Sequence, residues 1–322
     1  MTILLTGAFG NIGFSALQEL IRQGHTVRSF DLQNKLTQKK ARLVAGKTEI
    51  IWGDVRDVRQ VASLVVDQDV IIHLAAILPP DLDRRPKEAA EVNVGGTRSL
   101  LEAAKQQPKP PKFLFSSSLD VFGFTQDKTP PRKVTDPVAA TDDYTTHKLQ
   151  CEDMIKKSGL TWAIYRFSDV PPLAPRPMDP IMFRIPLDTR FDMVQTTDAG
   201  LAVANGLLHN EIWGRVWLIG GGPRCQVYYR DYLEGIMGAM GIGKLPEEAF
   251  GHDPYCTDWL DSEESEKLLH YQRHTFDEIM AELVQYAIPG GAKLIMPLVR
   301  PFVRSSLLKK SPYLKASPKS AH

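Results

Sequence analysis

A doubly wound, parallel α/β sheet is the fold class that this 322-residue chain predicts, in a chain long enough to hold an appended lobe as well. Three observations carry it. Short apolar runs of strand length alternate with helix-period segments four times along the first half of the chain. The first of those strands, Thr2 to Leu5, enters a helix through the turn Thr6-Gly7-Ala8-Phe9-Gly10-Asn11-Ile12-Gly13. The run from Asp69 to Ala76 is apolar without alternation, as a strand covered on both faces must be.

In the helix after the turn, Ile12, Ala16, Leu17, Leu20 and Ile21 recur at helical spacing, and Gly24 stops it. Bare amides and the positive end of a helix dipole make such a turn an anion site. Gly10 lets a pyrophosphate approach the backbone. The next strand, His25 to Asp31, ends on a carboxylate 18 residues past Gly13, where an adenosine ribose would present its hydroxyls. Together these predict a dinucleotide cofactor. Asp31 also predicts NAD rather than NADP, because it would repel a 2′-phosphate, although Arg28 and Lys35 stand nearby.

Leu32 to Lys47 is polar and without period, so no element is assigned there. Glu49 to Trp52 reads as the third strand. Asp54 after it is placed to reach an adenine amino group, and Asp57 to cap a helix from Val58 to Val66. His73, inside the fourth strand, reads as a satisfied core histidine. The loop Ile77-Leu78-Pro79-Pro80 is stiff, apolar and at the ligand edge. Asn93 and Thr97 share a helix face. Lys112 to Phe115 is the fifth strand, with Ser116, Ser117 and Ser118 at its tip. A helix opening at Thr141-Asp142-Asp143 carries Tyr144 and Lys148 on one face, and Thr161 to Phe167 is the sixth strand.

Composition sets the class. Apolar residues make up 43% and charged residues 24%, as in an ordinary soluble globular protein. The three cysteines are far apart and form no C-x-x-C pair, so no metal site and no disulfide framework is expected, which fits a reducing cytoplasm. The chain opens directly on its first strand, without the pattern of a signal peptide. Net charge is +1, but no Asp or Glu occurs from Leu283 to His322, where seven Lys and Arg lie; the rest of the chain is therefore about −6. Such a tail, with Phe302 and Val303 among its basic residues, suits an acidic partner or the periphery of a membrane, with Pro297 and Pro301 expected to interrupt any helix. Nothing predicts a nucleic-acid partner.

Thr6-Gly7-x-x-Gly10-x-x-Gly13, Asp54-Val55-x-Asp57, His73-Leu74-Ala75-Ala76, Asn93-Val94-x-Gly96-Thr97, Ser116-Ser117-Ser118-x-x-Val121-Phe122-Gly123, Tyr144-x-x-x-Lys148 and Arg166-Phe167 together resemble the extended short-chain dehydrogenase/reductase superfamily, of the NAD-dependent epimerase/dehydratase type. The resemblance runs from Met1 to about Gly222. It implies a Rossmann domain over residues 1–170, completed by 197–222, a substrate lobe from 171–196 and 223–288, and a basic tail over 289–322. It implies catalytic Ser118, Tyr144 and Lys148. For the NAD contacts it points to Gly7, Phe9, Gly10, Asn11, Ile12, Gly13, Asp31, Asp54, Val55, Leu74, Ala75, Ala76, Asn93, Tyr144 and Lys148. A homodimer is also expected.

The chemistry has a physical basis. Bringing a tyrosine from about 10 to about 7 needs some 4 kcal/mol of phenolate stabilisation. A lysine ammonium about 4 Å away supplies roughly that in a medium of intermediate dielectric. Lys148 is thus expected to lower Tyr144, Tyr144 to exchange a proton with substrate oxygen, and Ser118 to hold that oxygen.

Three classes remain open: an oxidoreductase of a secondary alcohol or ketone, a nucleotide-sugar epimerase with transient oxidation, and a non-enzymatic NAD-binding protein. Sugar dehydratases of the superfamily carry an Asp-Glu pair where this chain has Leu119-Asp120, so dehydration is not expected. Nucleotide-sugar enzymes have Asn where this chain has Asp169. With Ile77, Leu78 and Val170 facing the cofactor and Asp120 and Asp169 beside it, a small, largely apolar substrate is expected, although Arg176, Arg184 and Arg190 could serve phosphate.

Overall fold

The computed structural model describes residues 1–172, 179–287 and 292–314. Nine strands occur among them: β1 (Thr2–Thr6), β2 (Thr26–Asp31), β3 (Glu49–Trp52), β4 (Val70–His73), β5 (Lys112–Ser118), β6 (Trp162–Phe167), β7 (Arg190–Asp192), β8 (Arg215–Ile219) and β9 (Gln226–Tyr228). Seven form one parallel sheet in the order β3-β2-β1-β4-β5-β6-β8, while β7 and β9 pair antiparallel in the smaller lobe. The parallel sheet is the doubly wound Rossmann arrangement that the strand-helix alternation predicts.

Successive side chains of a strand point to opposite faces, and both faces are closed. Ile3 and Leu5 of β1, Ile72 of β4 and Leu114 of β5 pack under the helices Asn11–Arg22 and Thr196–Gly206. Leu4, Ile71, Phe113 and Phe115 pack on the other face under Val58–Leu64, Gly96–Lys105 and Asp143–Lys156. The chain leaves β1 toward β2 on one side and β4 on the other. This split opens a crevice above the carboxyl ends of the strands, where ligands of such sheets collect.

Two local readings change. Lys35–Leu43 is a helix within the stretch that showed no period. Asn34 and Thr37 form a reciprocal capping box at its start. The tail helix Ala292–Leu308 runs through both Pro297 and Pro301. A proline removes one helical hydrogen bond, yet tertiary contacts at the C-terminal end hold this helix: Leu307 is buried, Val303 and Leu308 pack on the lobe, and Arg304 donates to the carbonyl of Ile242 at 3.1 Å. Phe302 stays outside, 78% exposed. Pro289, Lys315 and Lys319 lie outside the described residues.

The lobe has its own core, with Met182, Phe183, Tyr229, Leu233, Met237 and Phe250 at its centre. It is joined to the sheet through the wholly buried Asp258, which accepts from Arg190 Nε at 2.6 Å and from Thr125 Oγ1 at 2.8 Å. No helix among the described residues is long and apolar enough to cross a membrane.

Candidate active site

The glycine turn joins β1 to the helix Asn11–Arg22, and the fit of backbone on backbone excludes side chains there. A Cβ on Gly13 would lie 1.9 Å from the carbonyl oxygen of Gly7. Gly7 has φ +67°, and a Cβ there would meet Ala75 N at 2.7 Å. Gly10 is the N-cap and no side chain caps the helix, so its first amides face the crevice without a side-chain partner. A closely approachable backbone at an uncapped helix start fits a pyrophosphate, and the residues present therefore fit NAD.

Asp31 sits at the end of β2. It accepts from the Phe9 N–H at 2.7 Å and the Leu32 N–H at 2.7 Å, which aims the carboxylate beside the turn. Burial raises its pKa, opposed by those two amides and by the Lys40 ammonium. Lys40 Nζ itself donates to the carbonyl of Gly10 at 2.7 Å. Asp54 is paired with Arg56 at 2.6 Å, and that hydrogen bond lowers its pKa against the effect of burial. Asp57 caps the helix Val58–Leu64.

At the edge of β4, His73 is the core histidine that the sequence suggests. It is 1% exposed, with Nδ1 2.7 Å from Thr6 Oγ1 and Nε2 3.0 Å from Thr97 Oγ1. Burial drives its pKa down to about 3, so it is neutral. Asn93 holds the following loop by two bonds to the backbone of Ile77, accepting at 2.7 Å and donating at 2.9 Å.

β5 runs further than its apolar residues suggest, through Ser118, because the serines continue the ladder to β6. The helix Asp143–Lys156, capped by Asp142, brings Tyr144 and Lys148 against this strand end. Lys148 Nζ donates to the carbonyl of Ser116 at 2.6 Å and lies 5.7 Å from the centre of the Tyr144 ring. Burial lowers Lys148 to about 8, leaving it mostly cationic at neutral pH. Tyr144 is raised rather than lowered: burial acts first and the Asp120 carboxylate second, with the Ser118 hydroxyl opposing. The expected pull by Lys148 does not set this value, because its ammonium is directed at Ser116. Below the site, Glu152 accepts from Ser117 Oγ at 2.7 Å and from Arg166 at 2.9 and 2.8 Å.

These groups face one cavity of about 590 Å³. Of the sequence-predicted residues, its described lining includes Gly7, Gly10, Asn11, Ile12, Gly13, Leu74, Ala76, Leu78, Ser118, Asp120, Tyr144, Lys148, Asp169 and Val170. Phe9, Asp31, Asp54, Val55, Ala75, Ile77 and Asn93 are not in that lining. The Phe9 ring packs on Trp52, Val55 lies against Gly96, and Ala75 backs Gly7. The far wall comes from the lobe and was missed: Met182, Ile185, Phe191, Tyr229, Tyr232, Leu233, Ile236, Met237, Met240 and Leu283, with Tyr255, Cys256 and Thr257 at its rim. One signal was available. From Tyr229 to Met240 the apolar residues recur at helical spacing, which marks a face but not what it faces.

The profile of the NAD dependent epimerase/dehydratase family matches residues 3–170, just over half of the chain. The chain belongs to that family. Its fold is that of a UDP-glucuronic acid 4-epimerase from Bacillus cereus solved in complex with NAD, at TM-score 0.74 and 22% identity, covering 89% of this chain and 98% of that one. Among relatives by sequence, a UDP-N-acetyl-alpha-D-glucosaminuronate decarboxylase of Bacillus cytotoxicus is 34% identical over 44% of this chain and 40% of its own length. A 3 beta-hydroxysteroid dehydrogenase/Delta 5→4-isomerase of Mycobacterium tuberculosis is 34% identical over 37% of this chain and 32% of its own. The match thus spans less than half of either relative. The family is NAD-dependent and of the extended short-chain dehydrogenase/reductase type.

Proposed function

We propose that this family member is an oxidoreductase that moves hydride between NAD and a small, largely apolar secondary alcohol or ketone. One observation carries the reading: the character of the substrate half of the cavity. Its wall is apolar and aromatic, and the charged side chains among the described lining residues are Asp120, Lys148, Asp169 and Asp179. A carboxylate repels a sugar diphosphate by roughly 1 to 4 kcal/mol at about 4 Å according to screening; Asp120, raised to about 7, is partly ionised at neutral pH, and the one ammonium is already bonded to Ser116. Arg190 is held by Asp258, Arg184 is not among the lining residues, and Arg176 lies outside the described residues. A relative matched over part of its length is named as a 3 beta-hydroxysteroid dehydrogenase/Delta 5→4-isomerase, which supports the reading of an apolar substrate.

In this reading Ser118 donates to the substrate oxygen and fixes its position. Tyr144, kept as a neutral phenol by burial and by Asp120, gives its proton to that oxygen during reduction and recovers it during oxidation. Lys148 keeps a positive charge beside the Tyr144 ring and is itself positioned by Ser116. NAD, when bound, supplies the hydride acceptor or donor. The apolar wall excludes water from the transfer.

The test is a pair of measurements. Reduction of apolar ketones such as 1-tetralone with NADH should proceed, and calorimetry with uridine, guanosine and thymidine diphosphates should show no micromolar binding. Micromolar binding of any of them would return the nucleotide-sugar epimerase reading to first place. Failure with every carbonyl, together with tight NAD binding, would favour a non-enzymatic role.

A cofactor preference follows from Asp31. NADH should be used at least about tenfold better than NADPH, because the half-buried carboxylate accepts from a ribose diol and repels a 2′-phosphate. Steady-state comparison of the two checks it. Tenfold better use of NADPH would mean that Lys40, not Asp31, meets the ribose.

A further inference from the structure

We propose that the outer face of the tail helix Ala292–Leu308 docks in the plane of an anionic lipid bilayer, with Phe302 inserted and Lys309 and Lys310 at the headgroups. The inference stands apart from the choice of substrate and adds a partner that hydride transfer does not need.

Burial divides the helix into two sides. Leu307 is buried, Val303 and Leu308 pack in the lobe core, and Arg304 donates to the carbonyls of Ile242 and Gly243 at 3.1 and 3.3 Å. Just past the helix, Ser311 Oγ donates to the carbonyl of Ala249 at 2.6 Å, so this end is fixed to the lobe. The other side faces outward. Phe302, at 78%, is the most exposed large apolar side chain among the described residues, and Ser305, Ser306, Lys309 and Lys310 are exposed with it. Counted back from Phe302 by three, four and seven residues, the same helical register holds Val299, Leu298 and Ile295. A helix held to its protein on one side, with an apolar outer face edged by cations, is built to lie at an interface.

Charge selects the occupant. No Asp or Glu occurs from Leu283 to His322, where seven Lys and Arg lie, and the rest of the chain carries about −6. That separation draws the tail toward a negative surface and turns the acidic body away from it. A bilayer with anionic lipid supplies both negative headgroups and an apolar layer beneath them; an acidic protein surface supplies only the first. Docking is in the plane because the helix is too short to span: it has 17 residues, and a crossing needs about 20.

The docked face lies near the cavity. Val303 and Leu308 pack in the core that contains Ile236, Met237 and Met240, three residues of the cavity wall. Docking therefore places that wall one helix diameter, about 10 Å, from the lipid.

The experiment sediments the full chain with vesicles, comparing phosphatidylcholine that contains phosphatidylserine with phosphatidylcholine alone, at low and at high salt. The wild-type protein should bind the mixed vesicles, bind the neutral ones at least about tenfold more weakly, and come off the mixed ones at high salt. Phe302→Ser should weaken binding by a factor on the order of ten, and Lys309→Glu by a similar factor. Leu36→Ser is the control: Leu36 is 76% exposed on the basic helix Lys35–Leu43, and its loss should leave binding unchanged. All three variants should keep the wild-type Tm, because the replaced side chains are exposed. No sedimentation with the mixed vesicles would overturn the proposal, as would undiminished binding in Phe302→Ser or loss of binding in Leu36→Ser. Binding to soluble polyglutamate as tight as to the vesicles, and indifferent to Phe302→Ser, would overturn it in favour of an acidic protein partner.

Discussion

Tyr144→Phe should lower turnover by about 10²- to 10⁴-fold, the usual range for removal of a proton-transfer group, while NAD binding changes little. The phenol oxygen is the only atom removed. The ring remains 5.7 Å from Lys148 Nζ at its centre, and the glycine turn that receives the pyrophosphate is untouched. Single-turnover kinetics on one apolar ketone and NAD titration by fluorescence separate the two effects. Activity like that of the wild type would remove Tyr144 from the mechanism. Loss of NAD binding along with turnover would show instead that the tyrosine is needed to shape the cofactor site.

The largest stability effect should come from a residue below the catalytic strand. Glu152, within the helix that carries Tyr144 and Lys148, is 1% exposed and accepts from both nitrogens that Arg166 directs at it, from Lys156 Nζ at 2.9 Å and from Ser117 Oγ. Glu152→Ala leaves the buried Arg166 guanidinium without its partner and should cost about 3–5 kcal/mol. Burial alone would raise the Glu152 pKa, but Arg166 and Lys156 outweigh it and bring the carboxyl down to about 2, against an ordinary 4.5.

A carboxyl lowered by folding adds stability above its unfolded value and loses it as pH falls through its folded value. The contribution of this pair should therefore be complete above about pH 4.5 and fade toward pH 2. Urea denaturation of both proteins across that range measures the difference. Equal midpoints at pH 7 would show that the pair is not a net support, and a gap that persists undiminished toward pH 2 would show that its ionisation is not the cause.

Some of this architecture was legible in the chain because it depends on neighbours in sequence. Asp57 caps the helix after it, and Asp142 caps the helix that carries Tyr144, because a cap is completed within three residues. The Tyr144–Lys148 spacing fixes a shared face in any helix. Lys35–Leu43 was missed although its capping box, Asn34 and Thr37, is just as local: too few of its residues are apolar for the period to stand out. Ser116 to Ser118 read as a tip rather than a strand because polar residues hide a ladder whose bonds come from β6. The two prolines of the tail argued against a helix that contacts with the lobe sustain.

By itself the sequence determined the alternation of strands and helices, the glycine turn, the strand-end Asp31 and the shared helix face of Tyr144 and Lys148. Each of these follows from spacing along one element or across one turn. Only the tertiary structure decided the strand order β3-β2-β1-β4-β5-β6-β8, the apolar wall that the lobe adds to the cavity, and the neighbours that raise Tyr144 and Asp120. Those are set by contacts between residues far apart in the chain, where burial and the field of distant charges act, and no local pattern records them.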